Sequence, residues 1–214
     1  MELNKYPGKY IVIEGTDGTG KSTQVQTLLG TLAAKGIEAV EIHEPEAKAV
    51  EISSHIRKII KNADLERSPE TNLLLFTAAR REIWHQLAAP ALTAGKYVLS
   101  ARNYYSTLAY QGYGEGLPLE TISQLTERFT DSKYMTPDFA CILTMDDESK
   151  RLERIHQRGE LENPDTFESR GDQFQTKVNY GYLQIAERYN LPIIDASQSI
   201  EMVHTQIIRQ LGVE

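Results

Sequence analysis

The chain has 214 residues, 40% of them hydrophobic and 25% charged, which suits one soluble globular domain over residues 1–214. Its formal net charge of −7 excludes duplex nucleic acid as a partner, because that binding depends on cations that neutralise phosphates. With a single cysteine, Cys141, and no apolar segment long enough for a signal peptide or a membrane span, we expect a cytoplasmic protein without disulfides or a membrane partner.

Short apolar segments alternate along the chain with longer segments of helical periodicity. The predicted strands are Tyr10–Ile13, Ala39–Ile42, Tyr97–Leu99, Phe139–Leu143 and Pro192–Ile194. The predicted helices are Lys21–Lys35, Val50–Asn62, Pro69–Ala94, Tyr104–Gln111, Leu119–Ser132, Asp147–Arg158, Phe167–Tyr189 and Ile200–Leu211. Strands that are apolar on both faces and alternate with helices are typical of a parallel sheet covered on both sides. The pattern therefore predicts an α/β fold with a five-stranded parallel sheet and helices on both faces.

Local signals mark helix ends and interruptions. Ser68 before Pro69 predicts a helix start, and Asp146 and Ser199 are predicted N-caps. Gly112–Gly116 predicts a loop between two helices. The polar segment 158–165 predicts a mobile lid over a cleft, spanning about residues 151–168, with a plain surface loop as the alternative.

Residues 15–22 read GTDGTGKS and match the phosphate-binding pattern G-x-x-x-x-G-K-[ST], directly after one strand and before the first helix. Glycines there let backbone N–H groups converge on phosphate oxygens, and the following helix adds the positive end of its dipole. Lys21 is predicted to reach the β- and γ-phosphates of ATP, and Ser22 to ligate Mg²⁺. A chance match occurs in about 1% of chains of this length, so we interpret the fold as a P-loop NTPase with three αβα layers. The residues predicted to bind ATP here are Gly15, Thr16, Asp17, Gly18, Thr19, Gly20, Lys21, Ser22 and Thr23.

The phosphate-binding loop alone does not separate kinases from GTPases and motor proteins. The chain has no N-K-x-D guanine-binding signature, although Asn4-Lys5 begins one. The segment CILTMDDES is a candidate Walker-B strand that ends at Asp146, and we prefer the alternative that Asp146 caps the following helix. The reaction class therefore depends on other motifs.

The chain resembles thymidylate kinases from residue 9 to nearly its end, in the phosphate loop and in five further segments. These segments are His43-Glu44-Pro45, residues 75–80 (LFTAAR), residues 100–112 (SARNYYSTLAYQG), Arg154 with residues 158–160 (RGE), and residues 194–196 (IDA). The longest of them, spaced correctly from the phosphate loop, is the most specific. The resemblance implies a nucleoside monophosphate kinase that uses ATP and Mg²⁺ to phosphorylate dTMP to dTDP.

The resemblance also implies the residues that hold the acceptor base. Phe76 would stack on the thymine ring, and Arg80 would hydrogen-bond a carbonyl at the base edge. Ser106, Thr107 and Gln111 would lie near the base. Phe76 has the alternative of a core position on an amphipathic helix, whereas Arg80 fits that alternative poorly because a buried guanidinium needs partners.

Further implied contacts follow the sugar and the phosphate of the acceptor. Asp17 would approach the 3′-hydroxyl, and Glu44 belongs to the same implied acceptor site. Tyr110 would pack where a ribose 2′-hydroxyl would sit and so favour deoxyribose, with a plain core tyrosine as the alternative. Arg102 would hold the acceptor phosphate and the transferring group.

Catalysis is implied to depend on cations that neutralise the charge developing on the γ-phosphoryl group. Lys21, Arg102 and the lid residue Arg158 are the implied catalytic residues. Arg154 and Arg158 would close over ATP, with Arg151 a further candidate. The alternative for these lid arginines is a solvated helix face.

One departure from the family pattern concerns the metal. Ala101 stands where relatives have an aspartate beside Mg²⁺ or its waters. Glu14, Asp17 or Glu44 could take the place of that aspartate.

Other departures concern the acceptor. Asn103 replaces a tyrosine, Ala79 a frequent aspartate and His43 an arginine, and residues 46–48 replace a glycine-rich or arginine-bearing stretch. Lys48 or Arg57 could compensate. Two alternatives therefore stay open, namely a kinase for another deoxynucleotide or a deoxynucleoside, and a nucleotide-binding protein with weak transfer.

The resemblance bears on assembly as well, because relatives are often homodimers. The predicted helix Pro69–Ala94 is long and apolar along one face, which a partner copy could cover. We therefore expect a homodimer. Trp84 and Cys141 are expected to pack in the core.

Overall fold

A five-stranded parallel sheet forms the centre of the protein, whose computed structural model describes residues 5–145, 147–156, 167 and 170–212. The strands lie in the order β2-β3-β1-β4-β5, and all neighbours are parallel. Their bounds are β1 Tyr10–Gly15, β2 Ala39–His43, β3 Tyr97–Ala101, β4 Phe139–Thr144 and β5 Ile193–Asp195. All five predicted strands are confirmed. Because β2 and β3 lie on one side of β1 and β4 and β5 on the other, a crevice is expected at the carboxyl end of β1, where α/β folds bind ligands.

Helices cover both faces of this sheet. Among the described residues, the α-helices are α1 Lys21–Ala34, α2 Glu51–Lys61, α3 Pro69–Ile83, α4 Ala89–Thr93, α5 Tyr104–Thr107, α6 Leu119–Phe129, α7 Ser132–Met135, α8 Glu148–His156, α9 Asp172–Tyr189 and α10 Ile200–Leu211. Two π-helical segments, Trp84–Ala88 and Leu108–Gly114, continue α3 and α5. None of the helices in the described ranges is long and apolar enough to cross a membrane.

The two faces of β1 show why the sequence forms three layers. Tyr10 and Val12 belong to a buried cluster on one face, and Ile11 and Ile13 to a separate cluster on the other. All four side chains are fully buried, so the strand contributes apolar surface to two cores at once. The predictions for Trp84 and Cys141 are confirmed, because both are buried in these cores.

The predicted helix Pro69–Ala94 forms one helical stretch up to Thr93, but its winding changes at the π-helical segment Trp84–Ala88. Pro90 has no N–H to donate to the carbonyl four residues before it, which lies inside that segment. Ser68 caps the start of α3 as predicted, since its hydroxyl accepts the backbone N–H three residues later at 3.2 Å.

The glycine-rich segment 112–116 is helical in its first part, so the prediction of a loop there is wrong. Gly112 and Gly114 belong to the π-helical segment Leu108–Gly114. A Cβ atom at Gly114 would lie 2.6 Å from the ring of Phe174 on α9, and one at Gly112 would lie 2.4 Å from Leu119. These glycines therefore allow close helix packing rather than a turn.

The chain around the predicted lid differs from the expectation at both ends. Asp147 caps α8, because its Oδ1 accepts the backbone N–H of Lys150 at 3.0 Å, whereas Asp146 was the predicted cap. The helix predicted from Phe167 begins only at Asp172, after a glycine in extended conformation. Asp146, Arg158 and most of the predicted lid lie outside the described residues. Ser199 caps α10 as predicted.

Candidate active site

The phosphate-binding motif connects the carboxyl end of β1 to the start of α1. Gly20 immediately precedes α1 with a φ of 91°, a conformation that other residues rarely adopt. A Cβ atom at Gly15 would lie 2.3 Å from the carbonyl oxygen of Leu143 on β4, so the loop packs directly on the neighbouring strand. Both glycines are thus required by the backbone, and the strand–loop–helix context is as predicted.

Asp17 brings two cations together beside this loop. Its Oδ1 lies 2.5 Å from the guanidinium of Arg102 and 3.8 Å from Lys21 Nζ, and the Tyr110 hydroxyl donates to its Oδ2 at 3.2 Å. Burial alone would raise the pKa of Asp17, but the charges of Arg102 and Lys21 outweigh burial and hold this pKa well below its ordinary value. Lys21 also donates to the Thr16 carbonyl at 2.8 Å. The cluster concentrates positive charge in an otherwise acidic protein.

Arg102 reaches this cluster from the carboxyl end of β3. Its backbone has a φ of 78°, which is unusual for a residue with a side chain. The guanidinium Nη1 donates to the hydroxyls of Ser106 at 3.0 Å and Tyr182 at 3.1 Å. Arg102 is therefore held by backbone conformation and by side chains of two helical segments.

Glu14, the residue before the loop, organises the turn that follows β3. Its side chain is 0% exposed and accepts from the backbone N–H groups of Asn103 at 2.7 Å and Ser106 at 3.1 Å. It also accepts from the hydroxyls of Ser106 and Tyr182 and from the Gly15 N–H. These five donors use the lone pairs of both oxygens, so Glu14 is not available as the metal ligand that the sequence allowed.

One pocket extends from the phosphate loop into the space between α2, α3 and the π-helical segment Leu108–Gly114. The predicted residues that line it are Asp17, Lys21, Ser22, Glu44, Phe76, Arg80, Arg102, Ser106, Thr107, Tyr110 and Gln111. The structure therefore brings together all nine predicted acceptor residues, which are spread over almost a hundred positions in the chain. Arg57 and Lys61 add two cations to the lining of the same pocket, whereas Lys48 is exposed outside it.

Arg80 lies at the inner end of this pocket in a buried ion pair. The side chain is 2% exposed, and its Nε lies 3.0 Å from Glu44 and 2.7 Å from the Tyr134 hydroxyl. Its Nη2 donates to Thr107 at 2.8 Å, while its buried Nη1 has no hydrogen-bond partner among the described residues. Burial would lower the pKa of Arg80, but Tyr134 and Glu44 raise it, so the guanidinium stays charged. The pocket thus contains one buried N–H donor group that a ligand carbonyl can satisfy.

Aromatic side chains form a wall of the same pocket. The ring of Phe167 lies 5.9 Å from those of both Phe76 and Tyr110. Flat apolar rings on this wall suit the face of a nucleobase. Sequence reasoning missed Phe167, because it treated this residue as the start of a helix.

A second pocket lies on the other side of the phosphate loop. Its lining includes Thr19, Gly20, Thr23, Arg154 and Gln198. Arg154 donates to the Ala196 carbonyl at 3.1 Å, which attaches α8 to the end of β5. Arg151 is buried instead, and donates to the Asp17 carbonyl at 3.2 Å beneath the loop. Both pockets therefore border the phosphate loop.

Two departures from the family pattern have a local explanation. Asn103 caps α5, because its side chain accepts the Tyr105 N–H at 2.8 Å. Ala101 is the buried last residue of β3 and pairs with Ile13 in the sheet. Glu44, a suggested replacement for the missing aspartate, is occupied by Arg80 and Tyr134.

Comparison with known proteins identifies the family of this chain. The thymidylate kinase family model matches residues 13–207. A thymidylate kinase of Exiguobacterium sibiricum is 36% identical over 207 residues, covering 95% of this chain and 94% of its own. One of Kosmotoga olearia is 35% identical and covers 94% of each chain. The crystal structure of thymidylate kinase from Ehrlichia chaffeensis superposes with a TM-score of 0.77 at 27% identity, covering 96% of this chain and 98% of that one. The chain belongs to the thymidylate kinase family.

Proposed function

We propose that this enzyme transfers the γ-phosphoryl group of ATP to dTMP, giving dTDP and ADP. The observation that carries the proposal is the pocket that joins Lys21 and Arg102 to Phe76 and Arg80. Such a pocket offers an acceptor phosphate to the phosphate loop at one end and encloses a base at the other. Family membership and the identity of full-length relatives support the same activity.

The transfer breaks the bond between the γ-phosphorus and its bridging oxygen, and forms a bond to an oxygen of the dTMP phosphate. Both reactants are anions, so their approach needs positive charge that is already in place. Lys21 and Arg102 supply that charge, and Asp17 keeps their side chains oriented. Arg158 keeps its role as the additional lid cation in this proposal. The second pocket, beside Arg154, is assigned to the adenosine part of ATP.

The acceptor base is assigned to the inner part of the first pocket. Phe76 and Phe167 lie near the faces of the base, and the unpaired Nη1 of Arg80 donates to one of its carbonyl oxygens. Tyr110, held by Asp17 at 3.2 Å, lies beside the sugar. Ser106 is bound to Glu14 and Arg102, so its role is to position these groups as much as to contact the base.

The donor set fits a magnesium ion that is held mainly by phosphate oxygens. Among the described residues there is no group of three side chains with ligand chemistry, and Mg²⁺ commonly takes most of its ligands from phosphates and water. Ser22 would supply one hydroxyl oxygen, and Asp17, whose side chain is 35% exposed, would supply a carboxylate oxygen in addition to its contacts with Arg102 and Tyr110. The ion would neutralise charge on the β- and γ-phosphates.

Assembly as a homodimer in the cytoplasm completes the proposal. The helices α2 and α3 pack against each other and carry exposed apolar side chains, namely Ile52, Ile59 and Leu74. These side chains support a dimer contact. The lone cysteine is buried and unpaired, which suits a reducing compartment. Sedimentation of the purified chain tests the dimer, since a monomer mass at micromolar concentration would contradict it.

Release of ADP in the presence of dTMP, dUMP, dGMP, dCMP and thymidine tests the activity. We expect the highest kcat/KM with dTMP and loss of turnover when Mg²⁺ is chelated. Turnover of thymidine without turnover of dTMP would reject the proposal. Binding of ATP without turnover of any acceptor would favour a nucleotide-binding protein instead.

A further inference from the structure

Glu115 directly follows the π-helical segment Leu108–Gly114. It lies behind the acceptor pocket without lining it. Its side chain is 3% exposed, although the residue belongs to a surface connection between two helical segments. Gln111 Nε2 donates to Glu115 Oε2 at 3.2 Å, and Arg170 Nη1 lies 2.7 Å from its Oε1. Asn72 on α3 donates to the same Oε1 at 3.4 Å. Glu115 is therefore a buried carboxylate held by three side chains, and one of them, Gln111, lines the acceptor pocket.

The contact with Glu115 determines which way the Gln111 amide points. A carboxylate only accepts hydrogen bonds, so it binds the NH₂ of the amide and not its oxygen. The Gln111 oxygen must then lie on the edge of the amide that faces away from Glu115. Because Gln111 is 1% exposed and lines the acceptor pocket, that edge is the one offered to a ligand.

The pocket then presents a defined pair of polar groups. Arg80 Nη1 is a buried donor without a partner among the described residues, and the Gln111 oxygen is an acceptor. A thymine or uracil ring carries a carbonyl oxygen next to an N–H group, and this pair of groups complements a pocket that supplies one donor and one acceptor. A cytosine ring carries an amino group next to an unprotonated nitrogen, which is the opposite order.

We propose that Glu115 is a positioning residue that fixes the Gln111 amide so that the pocket accepts thymine and rejects cytosine. This inference rests on the proposed function, because it assigns the acceptor base to this pocket. Arg170 supplies the countercharge of Glu115 but does not itself define the amide orientation.

Glu115→Gln tests the inference, because the new amide can accept or donate and therefore no longer dictates the orientation of Gln111. We expect the ratio of kcat/KM for dTMP to that for dCMP to fall by about ten- to hundredfold. The ratio of the two dissociation constants, measured by calorimetry, should fall likewise, while the KM for ATP stays within about twofold. Arg170→Gln is the matched control, because it breaks the ion pair and retains the carboxylate, so the ratio should be preserved.

The outcomes separate this inference from the proposed activity. An unchanged ratio in Glu115→Gln, or an equal fall in Arg170→Gln, would show that Glu115 acts only in packing and would overturn the inference while the activity stands. Preferential binding of dTMP by the unmodified protein without turnover would refute the activity, and the binding ratios of the variants would still decide the inference. Equal binding of dTMP and dCMP by the unmodified protein would overturn the inference directly.

Discussion

Arg102→Met is expected to lower kcat by about 10³-fold while the dissociation constant of ATP changes by less than about threefold. The guanidinium lies in the acceptor pocket against Asp17, and the pocket beside Arg154 does not include it. Its charge is therefore needed where the two phosphate groups meet rather than where ATP is first bound. Steady-state turnover of dTMP, together with calorimetric titration of ATP, measures both quantities.

Two further variants control this experiment. Arg102→Lys keeps the charge but lacks the planar fork that contacts Asp17, Ser106 and Tyr182, so an intermediate loss is expected. Arg209→Met removes an exposed arginine of α10 and should leave kcat unchanged. A kcat for Arg102→Met within tenfold of the unmodified enzyme would contradict the role of Arg102 in transfer.

Arg80→Met is expected to weaken dTMP binding by about a hundredfold, to spare ATP binding, and to destabilise the fold by about 3–5 kcal/mol. The loss of affinity follows from removal of the buried Nη1 donor in the pocket. The loss of stability follows because Glu44, buried and paired with Arg80 at 3.0 Å, would be left in the interior without the cation that offsets its burial. Calorimetry measures the two affinities, and urea unfolding measures the stability.

Tyr134→Phe separates the two effects of Arg80. It removes a hydroxyl that bonds both Arg80 and Glu44, outside the lining of the pocket, so it should cost stability by about 1–2 kcal/mol and leave dTMP affinity nearly unchanged. Equal losses of dTMP and ATP binding in folded Arg80→Met would show that Arg80 only supports the structure.

The strands and the phosphate loop were predictable because their signals are local. The central strands β1, β3 and β4 are short apolar segments that are buried along most of their length, and the loop places its glycines, Lys21 and Ser22 within eight consecutive residues. The cap at Asn103 is local too, and its position directly before Tyr104 could have revealed it. Such features need no knowledge of the rest of the fold.

The buried polar partners were not predictable, because they depend on contacts between distant segments. Arg80 meets Glu44 across 36 positions and Tyr134 across 54. Sequence reasoning took a buried arginine to be improbable in the core, and the structure supplies the three partners that such an arginine needs. The π-helical winding of residues 108–114 likewise depends on packing against α9, where Gly114 and Phe174 meet.

Calorimetric titration with adenosine and thymidine joined by five phosphates tests most directly whether the two pockets meet at Lys21 and Arg102. We expect one molecule to bind per chain, at least about a hundredfold more tightly than ATP, because both pockets are then filled by one ligand. It should exclude both ATP and dTMP, and Arg102→Met should weaken it. Binding no tighter than that of ATP, with dTMP still able to bind, would contradict the account.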